Sequence, residues 1–160
     1  MDTRAAKIKC SLAHAIDIAK EAHRDQLDKA GEPYILHPMR VVKNMGSEDE
    51  KIVAILHDVV EKNPTWTLSR LADEGFSEKV IEGADAMTRR AGESYEDFVR
   101  RAGTNPIARA VKLADLQDNL YMAQIAGLDK EHTEKYRRAI DLIKSVNLRT
   151  LVQDPAESEV

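Results

Sequence analysis

The sequence predicts an all-α fold, a compact multi-helix domain. Three observations predict it. Apolar residues recur at helical spacing along the chain. Ser, Thr or Asn precedes most of these runs, with Gly or Pro following. No stretch reads convincingly as a strand, and no internal repeat is present. Ala5, Ile8, Leu12, Ala15, Ile16 and Ala19 form one stripe, giving a first helix from about Thr3 to Arg24. The polar loop DQLDKAGEPYILHP follows, with Gly31 and Pro33. Pro38 suits the first turn of a second helix, Pro38 to about Met45. Gly46-Ser47 interrupts the chain. Ser47 caps a third helix, with Glu50 at the capping-box position, that runs to about Glu61 and stops before Pro64. Thr67 opens a short helix ended by Gly75, and Ser77 caps another ended near Gly92. Ser94 begins a helix to about Ala102. Asn105-Pro106 starts a long one ended by Gly127, and KEHTEKYRRAIDLIKSVNLRTL closes the domain. Residues 1–150 are expected to form this one domain, and the polar tail 151–160, with Pro155, to fray.

Composition narrows the function. The 160 residues suit one domain, and 42% apolar with 32% charged residues suits a soluble chain with a core. Aromatics are only 4%, so the core rests on Leu, Ile, Val, Ala and Met. The net charge is −4 and no basic block stands out, so neither DNA nor RNA is an expected partner. A local basic pocket for a phosphorylated small molecule is compatible with this balance. The one cysteine, Cys10, allows no intramolecular disulfide and no Cys-based zinc motif. MDTRAAKIKC lacks the apolar core of a signal peptide, and no segment approaches the ~18 apolar residues of a spanning helix. A cytoplasmic protein without a membrane partner is expected.

The chemistry concentrates in three stretches. In AILHDVVEKNP, His57-Asp58 stands among Ile52, Val53, Ile55, Leu56, Val59 and Val60. A charged pair there is costly unless it is internally paired or bound to a metal. On a helix the two side chains point about 100° apart and can still flank one ion. Glu61, four residues after His57 and three after Asp58, borders the same region. Alone, the dipeptide reads as a core histidine bonded to a neighbour. GEPYILHP holds His37, 20 residues before His57 at a loop-to-helix junction. VKLADLQDNL places Asp115, Asp118 and Asn119 at i, i+3 and i+4. Asp115 faces inward among Val111, Leu113 and Ala114, where an ion pair with Lys112 is the competing reading. Together, His37, His57, Asp58 and Asp115 make a mixed imidazole–carboxylate set suited to Mn²⁺, Zn²⁺ or Fe²⁺. The absence of thiolates argues against structural zinc. Four protein ligands leave an octahedral ion room for water, which becomes acidified and can attack a phosphoryl group, with Glu61 placed to orient or deprotonate it.

The ordered set AHRDQLDKAGEPYILHP, AILHDVVE and VKLADLQDNL resembles the HD superfamily of metal-dependent phosphohydrolases. It is most similar to the hydrolase domain of RelA/SpoT-type alarmone enzymes and to the small alarmone hydrolases. The resemblance covers about Ala22 to Leu120. It implies that His37, His57, Asp58 and Asp115 hold Mn²⁺ and that a guanosine alarmone loses its 3′-pyrophosphate. It also makes Glu61 the catalytic glutamate, Asn119 a nucleoside contact, and Lys29 part of the loop that holds the nucleotide. The chain departs from the family at three positions. Lys62 follows Glu61 where the family has aspartate; four residues after Asp58, it is placed to pair with that ligand or to reach a substrate phosphate. Asp28 replaces an arginine that stacks on guanine, and a carboxylate offers no cation–π contact, so adenine or another base is open. Asp25 replaces the glycine of the HxGQ motif, implying a different loop conformation. The expected function is a metal-dependent phosphohydrolase acting on a (p)ppGpp- or (p)ppApp-like alarmone. The alternatives are hydrolysis of another nucleotide, or a degenerate metal- and nucleotide-binding module, which Lys62 favours. His23 and Tyr34 read as packing and loop-supporting residues.

Overall fold

The computed structural model describes residues 11–146. The predicted start at Thr3, Cys10, the end of the closing helix and the tail after Leu151 lie outside the described residues. Helix α1 is Leu12–Ala22. It starts at a cap, since Ser11 has extended backbone and its hydroxyl accepts the His14 N–H at 3.2 Å. The predicted run from Thr3 is therefore not continuous across Ser11. The loop that follows closes on itself through an isolated bridge between Leu27 and Pro33. Asp28 builds its turn: the carboxylate accepts the Ala30 N–H at 2.8 Å and the Glu32 N–H at 2.9 Å, while Gly31 takes φ +83°.

Helix α2, Leu36–Val42, begins two residues earlier than expected. Pro38 still falls in the first turn, where its missing N–H costs nothing. His37 is thereby inside the helix rather than ahead of it. Helix α3, Glu48–Leu56, starts where Ser47 accepts the Glu50 N–H at 3.2 Å. The Glu50 carboxylate reaches back to the Gly46 N–H, also at 3.2 Å. The predicted continuation to Glu61 does not occur. The chain breaks at His57-Asp58 and resumes as α4, Val59–Lys62.

Helix α5, Leu68–Asp73, is capped by Thr67, and Gly75 turns the chain beyond it at φ +98°. Helix α6, Glu78–Ala86, stops short of Gly92. The Thr88 hydroxyl donates to the Ala84 carbonyl at 2.8 Å, taking an acceptor that a longer helix would use. Helices α7, Tyr95–Thr104, and α8, Pro106–Ile125, start at Ser94 and Asn105 as expected. Helix α9, Lys130–Ser145, is capped by Asp129.

Buried Ile52 to Leu56 make α3 the hub of the larger core, against α1, α2, α6 and α8. Gly83 lets α6 come close: a Cβ there would lie 3.0 Å from Val53 Cγ2. A smaller cluster of Val99, Leu116, Ala139 and Ile143 joins α7, α8 and α9. Helix α8 contributes to both. The described residues contain no strand, and none of their helices is long and apolar enough to cross a membrane.

Candidate metal centre

The break between α3 and α4 creates the site. The His57 Nδ1–H donates to the Ala54 carbonyl at 2.5 Å. A continuous helix would offer that carbonyl to the Asp58 N–H. Asp58 instead takes φ −103° and ψ −3°. The two side chains converge at their tips, and His57 Nε2 lies 3.1 Å from Asp58 Oδ2. The first turn of α2 brings His37, and the middle of α8 brings Asp115.

Four donor atoms then form a ring. His37 Nε2 is 3.0 Å from Asp115 Oδ1 and 3.8 Å from Asp58 Oδ2. His57 Nε2 is 3.5 Å from Asp115 Oδ1. Bonds of about 2.0–2.2 Å to one ion put neighbouring donors roughly 3 Å apart, so the ring has the right size. The chemistry also fits. His57 is 2% exposed, and its Nε2 has no hydrogen-bond partner among the described residues despite two nearby carboxylate oxygens. With Nδ1–H engaged by a carbonyl, Nε2 is the nitrogen free for a second proton or a metal. Burial opposes charge on His57, but Asp58 and Asp115 outweigh it and pull its pKa well above the ordinary imidazole range. The cluster thus calls for positive charge and can coordinate a divalent cation through His37, His57 and Asp58.

Surrounding side chains fix the donors. His37 Nδ1–H donates to Asp118 Oδ2 at 2.7 Å, and Arg40 grips Asp118 with two hydrogen bonds of 2.8 and 2.9 Å. Burial works against the Asp118 charge, but His37 and Arg40 hold its pKa down at about 2. The Tyr34 hydroxyl donates to Asp58 Oδ2. Lys112 Nζ donates to Asp115 Oδ2 at 2.9 Å, and Asn119 Nδ2 donates to Oδ1 at 3.2 Å. The two sequence readings of Asp115 are therefore compatible. One oxygen meets Lys112 and the other joins the ring.

Glu61 is exposed and accepts the Arg89 N–H at 2.6 Å. Lys62 makes no ion pair with Asp58 among the described residues; its ammonium sits 4.5 Å from the centre of the Tyr34 ring. Lys29 is exposed in the Asp28 turn. His23 is buried against Tyr34 and hydrogen-bonds Gln26, which suits its expected packing role. Sequence reasoning missed Arg40 and Asp118 as supports of His37, and Tyr34 as a partner of Asp58. The available signals were Arg40 three residues after His37 and Asp118 three after Asp115, each one helical turn from a candidate ligand.

No model of a known family matches the chain. Individual relatives do. Over 121 residues, 68% of the chain, it is 31% identical to the guanosine-3′,5′-bis(diphosphate) 3′-pyrophosphohydrolase of Aquifex aeolicus, covering 17% of that protein. Over 144 residues, 81% of the chain, it is 41% identical to a Synechocystis protein named as a probable enzyme of the same kind, covering 18% of it. It is 29% identical over 140 residues, 79% of the chain, to the GTP pyrophosphokinase of Streptomyces coelicolor, covering 16% of it. The chain thus spans less than a fifth of the length of these relatives. With its all-helical fold and its His37, His57 and Asp58 cluster, it belongs to the HD-type domains of the RelA/SpoT alarmone-hydrolase family.

Proposed function

We propose that this domain is a metal-dependent nucleotide phosphohydrolase that removes the 3′-pyrophosphate of a (p)ppGpp- or (p)ppApp-like alarmone. The observation that carries this reading is the ring of His37, His57, Asp58 and Asp115, with a buried imidazole nitrogen left without a hydrogen bond. These four residues would hold the ion, with Mn²⁺ the choice that the family pattern favours. When bound, a divalent ion supplies Lewis acidity toward a phosphoryl oxygen and acidifies water. The protein's own groups do the rest. Asp118 and Tyr34 orient His37 and Asp58. Glu61, exposed on α4, exchanges its bond to the Arg89 N–H for one to the attacking water and takes up its proton. Lys62 meets a substrate phosphate from its place over Tyr34. Lys29 and Asn119 contact the nucleotide.

Two observations bear on the alternatives. Asp28 commits its carboxylate to the loop backbone, which supports a base choice wider than guanine and keeps hydrolysis of another nucleotide as the second reading. Lys62 lies over Tyr34 rather than on Asp58, which supports a working centre over a degenerate one. The test is phosphate and pyrophosphate release with Mn²⁺ from guanosine and adenosine 3′-pyrophosphates and from ordinary mono-, di- and triphosphates. The control is the His57→Ala, Asp58→Ala variant. Pyrophosphate release from a 3′-pyrophosphate, lost in the control, is expected. Turnover confined to other nucleotides moves the assignment to the second reading, and stoichiometric Mn²⁺ binding without any turnover overturns the hydrolase.

A further inference from the structure

We infer that Lys112 is a positioning residue that restricts Asp115 to one metal-facing oxygen and thereby sets which cations the centre accepts. This rests on the metal-centre reading above. The two oxygens of Asp115 are separately engaged. Oδ2 receives the Lys112 ammonium at 2.9 Å. Oδ1 faces His37 Nε2 at 3.0 Å and His57 Nε2 at 3.5 Å, and accepts from Asn119 at 3.2 Å. Turning the carboxylate to offer both oxygens to an ion would break the Lys112 pair. That pair is shielded, with side chains only 9% and 7% exposed. Lys112 has little room to retreat, because its ammonium also lies 4.7 Å from the centre of the Phe98 ring and its backbone is one turn before Asp115 on α8.

The consequence is selectivity. Ca²⁺ reaches its six to eight oxygen contacts partly by taking carboxylates through both oxygens. Smaller ions that accept imidazole, such as Mn²⁺ and Zn²⁺, need only one. A carboxylate held by one oxygen therefore favours the smaller ions. The fixed positive charge of Lys112 also tempers affinity for any divalent cation. Asp58 is tied differently, by the uncharged Tyr34 hydroxyl on the oxygen that faces the ring.

The experiment measures Mn²⁺ and Ca²⁺ binding by calorimetry, and thermal unfolding with and without each ion, for the full chain and for Lys112→Met and Lys112→Arg. The native chain is expected to prefer Mn²⁺. In Lys112→Met that preference falls by about tenfold or more. Each ion also raises the melting temperature of Lys112→Met more than that of the native chain, because the ion then compensates Asp115 alone. Lys112→Arg, which keeps the cation, restores the native ratio. An unchanged ratio in Lys112→Met, with melting lowered equally in the presence and absence of metal, reduces Lys112 to a structural role and overturns the inference. If Lys112→Met does not fold, Lys112→Gln is judged by the same ratio. Native protein that binds no Mn²⁺ overturns the metal centre and this inference together, whereas native binding with an unaltered variant overturns only the role of Lys112.

Discussion

Asp118 is absent from the donor ring, yet it sets the orientation of His37 through one hydrogen bond and is itself held by the Arg40 fork. Groups that orient a metal-bound imidazole commonly contribute 10–100-fold in affinity. Asp118→Ala is accordingly expected to weaken Mn²⁺ binding by about 10–100-fold in calorimetry, and unchanged affinity would remove Asp118 from the centre. Lys62 has a different signature. Because it lies over Tyr34 and away from Asp58, Lys62→Ala should leave Mn²⁺ affinity unchanged. Loss of a charged contact to phosphate should raise KM about tenfold, measured on the preferred substrate of the nucleotide panel. These residues also show what could be read in advance. His37, His57, Asp58 and Asp115 stand out because each is a polar residue in or beside apolar helical sequence. The Arg40–Asp118 pair did not, because 78 residues separate its members and only the packing of α2 on α8 joins them.

Helix starts are the most legible elements. Ser47, Thr67, Ser77, Ser94 and Asn105 all cap the helices expected of them, because a side-chain acceptor ahead of an apolar stripe is a local signal. The α3–α4 break was not legible. Ile52 to Val60 is apolar enough to run on as one helix, yet the His57 ring takes the Ala54 carbonyl that a continuous helix would use. The α3–α6 crossing likewise depends on Gly83. Gly83→Leu forces a side chain against Val53 and Ile107 and is expected to cost about 1–3 kcal/mol of stability, measured by urea unfolding. Between α6 and α7, Arg101 binds the Glu93 carboxylate at 2.7 and 2.9 Å and the Asp85 and Thr88 carbonyls at 3.2 and 2.7 Å. The Arg101 hydrogen bond is the main cause that holds the Glu93 pKa down at about 2, from an ordinary value of 4.5. A depressed carboxylate stabilises the fold above its unfolded pKa and loses that contribution as pH falls through the folded one. Melting temperature should therefore fall between pH 4.5 and about 2, and Arg101→Met should flatten this part of the profile. An identical acid limb in the variant would show that other carboxylates govern it.

Across the whole molecule, α8 belongs to both apolar clusters and carries Asp115 between them. The all-α class was visible in periodicity alone, since a stripe that recurs every three or four residues has one economical burial. The partition into two clusters was not, because it follows from how α7 and α9 pack on α8. The donor ring has a topological consequence as well. His37 and His57 are 20 residues apart in the chain, and Asp58 and Asp115 are 57 apart. An ion held by all four acts as a reversible cross-link that ties two chain segments of unequal length in the folded state and is released when the chain unfolds. At a hundredfold excess over Kd the linkage is worth about 2.7 kcal/mol. Chelation is expected to lower the melting temperature by several degrees in calorimetry, and no shift would mean that the chain is not tied by an ion. Because α2, the α3–α4 junction and α8 must all be docked before the ring exists, the cross-link forms late. It therefore acts as a latch on a nearly finished fold rather than as a nucleus for it.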